Sequence, residues 1–180
     1  PFWIPPRCRN LGKSLSGRTV GRFIDHDGRV STSVSAQLDF PGSTDAVWSM
    51  LTNPEYWDFK RAEVGSFDVE ISAHDGGTLL TFTRPLSAEL PAAASAFIGS
   101  SAQIVEIQDW SPQSSSGVRT ATISISVGNA PAQVTGSATM APAKTGTHID
   151  IEISVSVSIP LFGGTSEQMI KSELEKHLQA

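Results

Sequence analysis

The sequence predicts one α+β domain: a curved antiparallel sheet of about six to seven strands wrapped around a long C-terminal helix, with two short helices after the first strand. Three observations predict it. Ile149, Ile151, Ile153, Val155, Val157 and Ile159 alternate with Asp150, Glu152, Ser154, Ser156 and Ser158, the period of a half-buried strand. Shorter runs with the same alternation precede this one, separated by turn residues. Near the C-terminus Ile170, Leu174 and Leu178 recur at i, i+4 and i+8, the stripe of an amphipathic helix.

A chain of 180 residues has the length of a single domain. Its 39% apolar content is enough for a core, while only 17% is charged. Ser and Thr fill the difference, and they sit well on the solvated face of a sheet. The lone cysteine, Cys8, excludes an internal disulfide and a cysteine-based zinc site. No apolar run approaches the roughly 20 residues that span a bilayer. A cytoplasmic protein with no stable membrane insertion is expected.

Residues 1–30 carry a net +4 and the remainder −9. An acidic body argues against nucleic acid, because phosphate contacts need clustered cations. Residues 1–30 show no sustained period of 2 or 3.6, and Pro5, Pro6, Gly12, Gly17, Gly21 and Gly28 interrupt every candidate element. They read as an irregular or disordered basic extension, with an amphipathic surface or membrane arm, or a true start near Val30, as alternatives. The domain proper is expected over residues 31–180.

The first strand places Val34, Ala36, Leu38 and Phe40 opposite Ser33, Ser35, Gln37 and Asp39, and Pro41-Gly42 ends it. Ser43 or Thr44 then caps a short helix with Asp45 in its first turn. Asn53-Pro54 stops that helix, and Pro54 suits the first turn of another, a short one over Glu55 to Lys60. Phe67, Val69 and Ile71 form a strand, His74-Asp75-Gly76-Gly77 a hairpin turn, and Leu80 and Phe82 one face of the next strand. Ala92 to Phe97 favours a short helix. Strand resumes at Ile104–Trp110, at Ala121–Val127 and at Ala132–Met140, and the isoleucine-rich strand follows. Pro160 to Gly164 breaks it, and Thr165 or Ser166 opens the last helix. Its apolar stripe needs a partner, which the concave face of a coiled sheet supplies. Inward Ala132, Gly136 and Ala138 are small, so the hollow need not be filled, and a cavity is expected there.

This order resembles the helix-grip fold of the START-like (SRPBCC) superfamily. Carrying the resemblance are the first strand with Pro41-Gly42-Ser43-Thr44-Asp45-Ala46-Val47-Trp48, the Asn53-Pro54-Glu55-Tyr56-Trp57 turn, the antiparallel run, and the Ile159-Pro160-Leu161-Phe162-Gly163-Gly164 step. Within the superfamily the chain looks most like an uncharacterised family of actinobacterial proteins that has a similar Pro-Leu-x-Gly-Gly step. The resemblance covers roughly residues 31–178. It implies an apolar cavity between sheet and helix suited to a lipid or polyketide-like molecule, and it implies no catalytic residue, metal or cofactor.

His26, His74, His148 and His177 do not cluster in sequence and show no metal-ligand spacing. Each reads as a surface residue. Glu106 lies between Val105 and Ile107. If those two fill the core, Glu106 faces water, whereas an inward carboxylate would need a partner and its pKa would rise. Trp48, Trp57, Trp110 and Tyr56 read as packing the short helices onto the sheet, with the lining of a cavity mouth as the alternative. No nucleophile elbow or phosphate-binding loop occurs.

Three functions remain. A carrier or sensor of a hydrophobic small molecule predicts a cavity with few convergent polar groups. A cyclase- or aromatase-like enzyme predicts at least two titratable residues facing that cavity. A solid-core interaction domain predicts no pocket of ligand size. The inward positions are almost all Ile, Val, Ala or Met, which favours the first and a non-enzyme. The expected ligand-facing residues are Trp57, Phe82, Val105, Ile123, Val134, Ala138, Ile153, Ile170 and Leu174. Nothing in the sequence selects an oligomeric state.

Overall fold

The computed structural model describes residues 20–24, 30–86, 102–130 and 132–157. The elements among them are β1 (Val20–Ile24), β2 (Val30–Phe40), α1 (Thr44–Leu51), α2 (Pro54–Val64), β3 (Asp68–His74), β4 (Gly77–Pro85), β5 (Gln103–Trp110), β6 (Arg119–Val127), β7 (Ala132–Ala143) and β8 (Gly146–Val157). The eight strands make one sheet in the order β1-β2-β8-β7-β6-β5-β4-β3, with every neighbouring pair antiparallel. From β3 to β8 each strand pairs with its successor. β2 then pairs with β8 through ten residues, Ser31–Phe40 against Thr147–Ser156.

One strand more than expected is present, and it falls at Val20–Ile24 within residues 1–30. β1 pairs with β2 from Val20 opposite Val34 to Ile24 opposite Val30, so the sheet reaches into the stretch read as irregular. Five residues containing a glycine carry too little alternation to be seen locally. The expected helices over Ala92–Phe97 and from Thr165 onward lie outside the described residues.

Both described helices start where capping chemistry sets them. Ser43 Oγ accepts from the Ala46 amide and Asn53 Oδ1 from the Glu55 amide, with Pro54 in the first turn. α2 runs on to Val64, longer than the turn expected over Glu55–Lys60, and stops at Gly65, whose φ of 96° favours glycine. Lys60, Arg61 and Ala62 are good helix formers, but they continue the helix without an apolar stripe to announce it. α1 packs against β7 and β8, and α2 against β3. The Thr147 hydroxyl donates to the Gly42 carbonyl at 2.8 Å, tying the start of β8 to the loop before α1.

The register sorts the sheet into two faces. Across the inner one Val34, Ile153, Gly136, Ile123, Gln108, Leu80 and Ile71 stand opposite one another in turn, from β2 to β3. The next row is Thr32, Val155, Val134, Ile125, Glu106, Phe82 and Val69. Ile149, Ile151, Ile153 and Val155 are all buried, Val155 completely. The inward assignment of this row therefore holds. Each such side chain contributes about 1.5–3 kcal/mol when fully removed from water, so the face is the main source of stability.

The outer face is polar and carries a cross-strand pairing that sequence spacing does not display. Asp39 and His148 are register partners on β2 and β8. His148 Nδ1 lies 2.7 Å from Asp39 Oδ1 and its Nε2 lies 3.1 Å from Asp150 Oδ1, which also accepts from Gln37 Nε2 at 2.8 Å. The doubly protonated ring donates to both carboxylates. The Asp39 hydrogen bond, aided by Asp150, raises the His148 pKa against a smaller opposing effect of burial. A folded-state pKa above the unfolded one gives stabilisation that is complete below the unfolded value. It is lost as pH rises through the folded value. His148→Gln is accordingly expected to flatten the fall of stability with rising pH above the ordinary histidine range. The effect is under about 1 kcal/mol for so exposed a pair. Urea midpoints measured across that range in both proteins check it, and parallel pH profiles would contradict it.

Candidate functional site

Glu106 interrupts the apolar inner face. It is 4% exposed and stands between Phe82 on β4 and Ile125 on β6. Along the same face of β5 follow Gln108 and Trp110. Residues two apart on a strand share a face, and here they are joined by hydrogen bonds. Trp110 Nε1 donates to Gln108 Oε1 at 2.8 Å, and Gln108 Nε2 donates to Glu106 Oε1 at 2.6 Å. Burial pushes the Glu106 pKa up, because the charged form loses its water. The Gln108 hydrogen bond and the positive charge of Arg84 oppose this only in part. Arg84 occupies the inward parity of β4, opposite Ile104.

Aromatic side chains hold the two ends of this polar strip. Trp48 of α1 meets Trp110 edge-on, with centroids 5.7 Å apart, and the Arg119 guanidinium lies 4.4 Å from the Trp48 ring centroid. Such a contact is electrostatically attractive. At the other end Trp57 of α2 packs on Phe82, the cross-strand neighbour of Glu106, at 5.0 Å, and touches Phe67 and Tyr56. Its Nε1 donates to the Leu51 carbonyl at 2.7 Å, which joins α2 to α1. The tryptophans thus pack the short helices onto the sheet. One turn beyond Trp57, Lys60 is fully buried and lies 5.5 Å from the Phe59 ring centroid.

Of the residues expected to face a ligand, Trp57, Ile123, Val134, Ala138 and Ile153 are buried and Phe82 is partly buried against the core. Ile123 and Ile153 flank Gly136 in one row, and Val134 lies in the next. Val105 is a correction. It sits on the outer face with Ile107, which is 38% exposed, while Ile104, Glu106 and Trp110 are buried. The outward reading of Glu106 is corrected with it. β5 carries apolar residues at both parities, so alternation alone does not choose a face, and pairing with Phe82 and Ile125 does. Ile170 and Leu174 lie outside the described residues.

The small inward residues also behave differently from expectation at one position. A Cβ on Gly136 would stand 2.2 Å from the Glu152 carbonyl oxygen and 2.7 Å from Ile153 Cδ1. The space there belongs to β8 rather than to a cavity. Sequence reasoning missed the Glu106–Gln108–Trp110 strip, although Ile104 and Trp110 share the parity of Glu106 and could have pointed to it.

Among the described residues no group of three His, Cys, Asp or Glu side chains is placed to hold a metal ion, and no helix is long and apolar enough to cross a membrane. The structure is similar to that of TTHA0849 from Thermus thermophilus, with a TM-score of 0.52 and 17% identity over 81% of this chain and 88% of that one. It is also similar to truncated norcoclaurine synthase from Thalictrum flavum, with a TM-score of 0.50 and 16% identity over 84% of this chain and 90% of that one. These likenesses bear out the α+β fold, an antiparallel sheet with two short helices. No curated protein matches the sequence. Residues 35–180 match the family described as Protein of unknown function (DUF2505), and the chain belongs to that family.

Proposed function

We propose that the protein binds a hydrophobic small molecule, a lipid or a polyketide-like compound, against the inner face of the sheet, beneath a long C-terminal helix, in the cytoplasm. One observation carries this reading: the inner face is largely apolar, and buried on β2, β6, β7 and β8, yet the described helices are too small to cover it. α1 and α2 have 8 and 11 residues, about 12 and 16 Å of helix. Eight strands are roughly 34 Å wide. A further cover is needed, and the Ile170-Leu174-Leu178 stripe has the apolar spacing of a helix that packs on such a face. Within the START-like superfamily we place the chain in an actinobacterial branch, on the Pro160–Gly164 step.

Native mass spectrometry of protein purified from its own host is expected to show a co-purifying adduct of lipid size. A lipid panel at about a hundredfold excess over Kd is expected to raise the melting temperature by about 5–10 °C. No adduct in repeated purifications, with no shift from the panel, would favour the solid-core alternative.

A second reading is favoured by Glu106. A buried carboxyl held toward its acid form is what a general acid needs, and an inward arginine is near it. The norcoclaurine synthase of Thalictrum flavum shows that the fold accommodates an enzyme, although fold alone does not fix function. A cyclase-like activity would be abolished by Glu106→Gln with ligand binding retained.

A further inference from the structure

The hydrogen bonds along β5 have a direction. An indole N–H only donates, so the contact from Trp110 fixes Oε1 of Gln108 as the acceptor. The amide must then turn its Nε2 toward Glu106, and it donates to Oε1 of that carboxyl. Oε1 is thereby occupied as an acceptor, and a proton on the carboxyl belongs on Oε2. Gln108 is the only hydrogen-bond partner of this carboxyl among the described residues. Trp110 is itself held by Trp48 and, through it, by Arg119, so the chain is braced at its far end.

The geometry points to a ligand class, on the reading that a hydrophobic molecule occupies the inner face: an apolar molecule bearing one uncharged oxygen acceptor, a ketone, ester carbonyl or alcohol, that takes a hydrogen bond from Glu106 Oε2–H. Three features favour that class. The neighbours of Glu106 across the strands are Phe82 and Ile125, so the molecule around the acceptor is apolar. Burial favours the acid form of Glu106, which makes the group a donor. A ligand carboxylate would have to give up its hydration to sit between Phe82 and Ile125, which costs far more than desolvating an uncharged oxygen. The uncharged acceptor avoids that cost. Trp110 acts here as a positioning residue, because it sets the donor and acceptor ends of Gln108 without touching the ligand.

The test uses the full chain and three probes of matched shape, titrated calorimetrically at pH 7: 2-acetylnaphthalene, 2-ethylnaphthalene and 2-naphthoate. The ketone is expected to bind the wild-type protein roughly three- to tenfold more tightly than the hydrocarbon, the worth of one net hydrogen bond, and more tightly than the carboxylate. The carbonyl stretch of the bound ketone is expected at lower frequency than in an apolar solvent. Glu106→Leu is expected to remove both the preference and the frequency shift. Glu106→Gln retains an N–H donor and is expected to keep them. Trp110→Phe frees Gln108 to turn and is expected to reduce the preference. Equal binding of ketone and hydrocarbon by the wild-type protein would overturn the inference while leaving the hydrophobic-ligand reading intact. So would tighter binding of 2-naphthoate, or a preference unchanged in Glu106→Leu. Should that variant not fold, Glu106→Met removes the same donor, and the wild-type ratio decides without any variant. Absence of binding by all three probes, together with a silent lipid panel, would overturn the underlying reading as well.

Discussion

Replacing Ile153 by aspartate is expected to unfold the protein. Ile153 is 3% exposed and lies in the interior of β8, between Val34 of β2 and Gly136 of β7. Its Cδ1 fills the place that a side chain on Gly136 would take. A carboxylate there loses its water and has no cation at hand in its row of apolar neighbours, at a cost of several kcal/mol. Loss of the isoleucine side chain adds about 2–5 kcal/mol, as in other large-to-small core changes. Together these match the roughly 5–15 kcal/mol that holds a whole domain folded. Circular dichroism and urea titration check the result, with no cooperative transition expected. Ile153→Val serves as the control and is expected to cost about 0.5–1.5 kcal/mol. A stable, folded Ile153→Asp protein would contradict the assignment of this row to the interior.

Gly136→Ala is expected to destabilise by about 3 kcal/mol, the upper end of what overpacking costs. The closer of the two obstacles is the Glu152 carbonyl oxygen, which is main chain and part of β8. It moves only if β7 and β8 separate locally, at the expense of their hydrogen-bonded ladder. Ile153 Cδ1 is the lesser obstacle, since it ends a side chain that has other rotamers. A double-mutant cycle with Ile153→Val separates the two. Removing Cδ1 is expected to recover less than half of the loss. Full recovery would show that the side chain, not the close approach of the strands, requires glycine here.

These two residues also show where sequence reasoning succeeds and where it stops. The isoleucine row of β8 was legible because one face is apolar at every step and the other polar, so a one-residue slip would exchange core for solvent. The same holds for β2, β6 and β7. Gly136 was legible as inward and misread as room, because sequence gives a residue's own volume and not the volume its neighbours take. β5 was not legible. Ile104 and Trp110 favour one face, Val105 and Ile107 the other, and the choice is made by strands far along the chain. The buried carboxyl at Glu106 follows from that choice. His148 found Asp39 for the same reason, across 109 positions of sequence. β1 was hidden by its brevity. The starts of both short helices were legible at Ser43 and Pro54, since the chemistry of a helix start is complete within three residues.

The strand order has a kinetic meaning. From β3 to β8 each strand pairs with the next one in sequence, but β2 reaches its partner only by bringing Phe40 next to Thr147. Closing so long a loop is entropically slow compared with forming hairpins. β2 is therefore the clasp that locks last. On the ribosome, the edge of β2 that receives β8 has no strand to pair with until β8 has been synthesised, and over that interval it needs shielding.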